Sequence, residues 1–229
     1  MSYRLSLLLL LAFLPFVAAA QDAARTIQEL TAKMNRVKDY SVNVIIRSEI
    51  PLIKIFPVKA SIYYKQKDKF RILSKGIAIL PKQGFTDLSK LLNQKDSFSA
   101  LLTGTETIQN TAVEVITILP ADDAGDLILT KLWVDTKSDL VLKSQTTTRS
   151  NGTVSAAYSY GTQAAFGLPD KVTFTIDVKK FKIPKGLATD INRTSVVDEN
   201  KPAAKTGKIN ISFSDYVINK GIKDEIFGK

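Results

Sequence analysis

The chain of 229 residues contains no cysteine, no histidine and a single tryptophan. Without histidine there can be no Ser-His-Asp triad, and without cysteine no thiol nucleophile; together the two absences remove the ordinary zinc site. The lack of cysteine also leaves no residue to carry a lipid anchor behind a leader. Carboxylate chemistry, a Ser/Lys pair or an oxygen-ligated metal would remain. The acidic residues Asp122, Asp123 and Asp126 sit in "LPADDAGDL", between two apolar runs and beside Pro120 and Gly125, which is hairpin-loop composition. No enzyme activity, no cofactor and no metal are expected.

Long hydrophobic runs are confined to the first twenty residues. Arg4, the leucine-rich run from Leu5 to Val17 and the small residues Ala18, Ala19 and Ala20 have the layout of a secretory signal peptide, residues 1–20, cut before Gln21. The run is short for a bilayer and Pro15 interrupts it. Cleavage leaves about 209 of the 229 residues as a single domain, 21–229, and removing Arg4 takes the formal charge from +10 to +9. Scattered lysines of this kind read as a solvated face, and a secreted basic chain meets anionic lipid head groups sooner than nucleic acid. No nucleic-acid partner is expected.

What the chain does have is periodicity. Ile27, Leu30, Met34 and Val37 recur at spacings of three and four, which predicts a helix from about Ala24 to Lys38. From Tyr40 the period becomes two. Val42, Val44 and Ile46 alternate with Ser41 and Asn43, then Phe56, Val58, Ala60, Ile62 and Tyr64 alternate with polar or small neighbours, and Phe70 and Ile72 continue on a third strand, Lys69 to Ser74. A second helical zone follows: Phe85, Leu88, Leu91 and Leu92 form a stripe, and Asp96 caps a further turn carrying Phe98, Leu101 and Leu102 that Gly104 ends. Beyond Gly104 nearly everything alternates as strand, with Asn151-Gly152 as a strong hairpin turn. Residues 184–207, rich in Lys, Asn, Gly, Pro and Ala, read as a long mobile loop.

About ten strands with short connections and few helices make an α+β chain, mainly antiparallel β: one large sheet that must curl, its apolar concave face covered by the helical pieces. The residues alone leave open whether that concavity is packed or hollow. The hairpin "KLWVDTKSDLVLKSQ", residues 131–145, belongs to its wall. Leu132 and Val134 share one face, Leu140 and Leu142 continue it on the return strand, and Trp133 points the other way. The turn places Asp135, Lys137 and Asp139 at alternate positions like a calcium loop, but Lys137 and the absence of a glycine at the bend argue against a cation there.

The motifs "SIYYKQKDKFRI", "KLWVDTKSDLVLKSQTTTRSNG" and "FSDYVINKGIKDEIF", in that order, resemble the periplasmic lipoprotein-carrier superfamily, the LolA/LolB-like outer-membrane lipoprotein-sorting proteins, over nearly the whole mature chain. The resemblance implies an incompletely closed, strongly curved β-barrel of about eleven strands, with short helices as a lid over an apolar cavity that accepts acyl chains. Its lining would come from Val44, Ile46, Phe56, Val58, Ile62 and Tyr64, then Phe70, Ile72, Leu132, Val134, Leu140 and Leu142. The helical pieces would add Leu88, Leu91, Leu92, Phe98 and Leu101. It also implies a soluble monomeric periplasmic carrier that moves acyl chains of lipids or lipoproteins from an inner-membrane release complex toward an outer-membrane acceptor. A lipid-sensing or partner-binding domain of the same fold is the alternative. In that superfamily an arginine in the first motif's turn latches the empty lid by bonding lid carbonyls. Aligning "YYKQKDKF" puts Gln66 in its place, so the closed state is expected to be looser, or Lys65 or Lys67 to have taken over the latch.

Overall fold

The structure, a computed structural model, describes residues 14–51, 56–66, 69–76, 91–93, 97–122, 124–177 and 206–228. Helix α1 spans Leu14–Met34 and leads directly into the sheet. Its inward stripe is Ala23, Ile27 and Leu30, all buried, with Met34 one turn on. The helix begins ten residues before the expected Ala24 and runs unbroken through the expected cleavage point after Ala20. It ends by tightening, as Arg36 N–H donates to Lys33 O and Val37 N–H to Met34 O, both at 3.2 Å.

Ten strands follow: β1 Asp39–Glu49, β2 Val58–Lys65, β3 Lys69–Ser74, β4 Phe98–Ile108, β5 Thr111–Pro120, β6 Leu127–Asp135, β7 Leu140–Thr148, β8 Gly152–Ser159, β9 Lys171–Asp177 and β10 Thr206–Ile218. They form one antiparallel sheet in the order β3-β2-β1-β10-β9-β8-β7-β6-β5-β4. The last strand in the chain is inserted between β1 and β9, so β3 and β4 are left at the two edges. The sheet is curved and not closed, the open-barrel architecture expected, with ten strands among the described residues. Gly152, at φ 68, makes the β7–β8 turn that Asn151-Gly152 announces.

Three expectations change. Phe98 to Leu102 is not a helical turn but the start of β4. Strand geometry turns Phe98, Ala100 and Leu102 toward α1 and leaves Leu101 44% exposed on the other side. Leu142 also lies on the opposite face, packed with Trp133, Val113 and Val115, because a bulge shifts the β6–β7 register between Trp133 and Val134 and puts Val141 inward instead. Phe56 precedes the first ladder pair of β2 and is 75% exposed. Leu88, Lys67, residues 178–205, which include 184–205 of the expected loop, and the first thirteen residues of the leader lie outside the described residues; β10 begins within the expected loop, at Thr206.

Candidate functional site

The concave face carries two apolar clusters. In one, the α1 stripe packs with Leu92 onto Ile116 and Ile118 of β5, Leu132 and Val134 of β6 and Val141 of β7, with Leu91 and Phe98 partly buried against it. In the other, Val44 and Ile46 of β1 and Ile62 of β2 join the inward residues of β8, β9 and β10, with Phe70 and Ile72 on its margin. Val58 is half-buried. Between the clusters β7 presents Ser144, Thr146 and Thr148 rather than aliphatics. Ser144 and Thr148 are buried, and their oxygens are paired: Ser144 Oγ with Tyr158 Oη at 3.0 Å, and Thr148 Oγ1 accepting from Asn151 N–H at 3.2 Å.

Where the last turn of α1 meets the sheet, a cavity of about 130 Å³ opens. Leu30, Met34 and Val37 form its helix side, Leu140, Val141 and Val172 part of its wall, and five of the chain's seven tyrosines line it: Tyr40, Tyr64, Tyr158, Tyr160 and Tyr216. Each sits where an inward strand phase reaches its end. Tyr40 precedes Val42 and Val44, Tyr64 follows Ala60 and Ile62, and Tyr158 follows Val154 and Ala156. Tyr216 is inward beside Phe213 because the β1–β10 ladder bulges at Asp215, φ 57.

The rings hold one another. Tyr40 stacks on Tyr64 at 5.2 Å and meets Tyr216 edge-on at 5.8 Å; Phe213 stacks on Tyr216 at 6.1 Å and Tyr158 on Tyr160 at 6.5 Å. Tyr160 Oη donates to Val141 O and Tyr216 Oη to Pro169 O, each at 2.8 Å, which fixes these two rings at the cavity's edge. Burial pushes the phenols of Tyr40, Tyr158, Tyr160 and Tyr216 above their ordinary range, so they stay neutral. Of this set the sequence points only to Tyr64 and Leu140; Tyr40, Tyr216 and the pair Tyr158 and Tyr160 come from the ends of three further strands and share no local motif.

The helix end above the cavity is tied down by two side chains. Gln66 Nε2 donates to Asn35 O at 3.0 Å and to Val37 O at 3.2 Å, using both of its amide hydrogens. Asn219, at the end of β10, donates from Nδ2 to Arg36 O at 2.9 Å while its Oδ1 accepts from Lys38 N–H at 2.7 Å. Three carbonyls at a helix C-terminus, which the helix itself cannot satisfy, are thereby paired. Lys65 is engaged elsewhere. Its ammonium donates to Ile222 O at 2.9 Å and pairs with Asp224 at 2.7 Å, and Lys69 pairs with the same carboxylate at 3.0 Å. These bonds hold the Asp224 carboxyl below its usual range.

No three acidic side chains converge as a metal site among the described residues. Nor, among them, is any helix long and apolar enough to cross a membrane. The chemistry the site offers is therefore apolar and aromatic enclosure under a hydrogen-bonded roof.

This is the fold of the LolA superfamily. The chain aligns with an outer membrane lipoprotein-sorting protein domain from Vibrio parahaemolyticus at TM-score 0.63 and 10% identity, covering 91% of this chain and 97% of that one. A LolA superfamily protein from Nitrosomonas europaea gives TM-score 0.58 at 12% identity over 90% and 97% of the two chains. A DUF1329 family protein from Desulfovibrio piger gives 0.57 at 13% over 90% and 96%. In sequence, residues 58–160 match the MucB/RseB N-terminal domain family. No curated protein matches the chain by sequence.

Proposed function

We propose that residues 21–229, after loss of the leader, form a soluble periplasmic carrier that holds acyl chains of lipids or lipoproteins in the concavity and moves them toward the outer membrane. The observation that carries this reading is the cavity itself: an apolar, aromatic-lined opening on the concave face, roofed by one helix whose end is tied by a few side-chain hydrogen bonds. Each methylene removed from water gains about 0.8 kcal/mol, so an acyl chain leaves a membrane only for surroundings as apolar as those it left. A carrier must match that environment without exceeding it, and a wall of Leu, Ile, Val and Phe does so without catalytic groups. Ile46, Ile62, Phe70 and Ile72 would be reached as the chain penetrates, Tyr64 and Leu140 would be met at the opening, and Leu132 and Val134 stay beneath α1.

Gln66 would act as the latch. Its two neutral donors replace the charged guanidinium of the lipoprotein carriers, and Asn219 shares the load from the opposite strand. Donor and acceptor would be an inner-membrane release complex and an outer-membrane receptor. Protein purified from periplasm without detergent, extracted into organic solvent and analysed by mass spectrometry, should yield acyl species near one per chain. Extracts free of acyl lipid would contradict the carrier.

The match of residues 58–160 to the MucB/RseB N-terminal domain favours a second reading, a lipid-sensing or partner-binding domain. Transfer separates the two: a carrier loaded with a fluorescent acyl chain delivers it to acceptor vesicles, and a sensor retains it.

A further inference from the structure

The aromatic cavity also carries charge of both signs. Asp139 lines it, half-buried, at φ 49 in the left-handed region, and its carboxylate has no hydrogen-bond or ion-pair partner among the described residues. Lys33 lines it from α1 and donates to Ser138 O, which leaves further N–H donors on the same ammonium. A carboxylate at the rim of an aromatic-lined cavity is placed to meet a cation that enters there. Tyr160 and Tyr216, their hydroxyls fixed on Val141 O and Pro169 O, line the same cavity, and aromatic rings attract a cation through their quadrupole and suit a methylated ammonium, which needs no hydrogen-bond acceptors.

From this juxtaposition we propose that the cavity recognises the phosphocholine-type headgroup of a zwitterionic phospholipid, with the ammonium against the tyrosine faces and Asp139 and the phosphate toward Lys33. The proposal rests on the carrier reading and sharpens it. The acyl chains enter the concavity, and the headgroup at its mouth selects which lipid is carried.

The test compares dihexanoyl-phosphatidylcholine with dihexanoyl-phosphatidylglycerol, identical in their chains, titrated into the mature protein by calorimetry. Phosphatidylcholine should bind about tenfold more tightly. Asp139→Asn, a residue that tolerates the left-handed backbone, should abolish the preference, with binding of a fluorescent fatty acid by the native protein measured alongside. Equal binding of the two lipids by the native protein, or a preference that survives Asp139→Asn, would overturn the headgroup assignment and leave the carrier standing. Failure to bind the fatty acid as well would remove the carrier and the headgroup site together. Free phosphocholine competing as strongly as the lipid would point to a soluble solute and count against a lipid cargo.

Discussion

On the β4–β7 side of the sheet, α1 lays Ala23, Ile27 and Leu30 onto Ile116, Ile118, Leu132 and Val134, and every one of these is buried. Around β1, β8, β9 and β10 the same inward alternation runs into Tyr40, Tyr158, Phe213 and Tyr216, which border a cavity. Period-two patterning is identical in the two regions. The helix stripe covers the first region; beyond Met34 α1 has no further turn, and the cavity opens at the tyrosine ends of β1, β8 and β10, although Val44, Ile46, Phe174, Ile209 and Ile211 farther along those strands are themselves buried. The roof of the cavity thus depends on the end of one helix.

The contrast is broken most severely on the filled side. Leu132→Ala removes a fully buried side chain beneath α1 and should cost about 2–5 kcal/mol in urea unfolding. The molecules that remain folded should keep their affinity for an acyl probe. Met34→Ser, at the border of the cavity, should reverse the pattern: stability falls by only about 1 kcal/mol, while the probe binds severalfold more weakly. Equal effects of the two substitutions on binding would erase the distinction between the halves.

Gln66→Ala acts on the roof alone. Losing two hydrogen bonds to the helix end should cost about 1–2 kcal/mol locally, seen as faster hydrogen exchange at Asn35 to Lys38 and faster probe uptake. Gln66→Arg should slow both. The smallest effect is that of pH. With no histidine, no side chain has an unperturbed pKa between about 5 and 8, so probe affinity should be flat across that range. Among the described residues Asp224 is the one carboxylate with a lowered pKa, which makes its contribution present above the ordinary carboxylate range and lost only as the pH falls through its depressed value. The tie between β3 and the C-terminal turn should therefore loosen only in acid below about pH 4, visible as exchange at Asp224–Phe227.

Much of this architecture is legible in the sequence because alternation maps directly onto a half-buried strand. Val42, Val44 and Ile46, or Ile209 and Ile211, state which way they face. The misreadings share a cause. Phe98, Leu101 and Leu102 are spaced like a helical stripe, and the residue that restores strand phase, Ala100, is too small to register. Leu142 and Tyr216 change face at bulges, which insert a residue without altering composition. Alignment makes Gln66, Lys65 and Lys67 candidates for a latch, but that the neutral amide of Gln66 reaches two carbonyls depends on the path of the chain from Asn35 to Val37. The tyrosine pocket draws one or two residues from each of four strands, an assembly that only the β1–β10 pairing brings about.

The claim that ligand enters at the tyrosine-lined cavity and not beneath the helix stripe is tested most directly by photo-crosslinking. The mature protein loaded with a fatty acid carrying a terminal diazirine should label peptides of β1, β9 and β10, around Tyr40, Val172 and Phe213, and Gln66→Ala should leave that pattern in place while accelerating its appearance. Labelling concentrated on Ile116, Ile118 and Leu132, beneath the helix stripe, would contradict the account, because the helix would then have to leave the wall before any chain could enter.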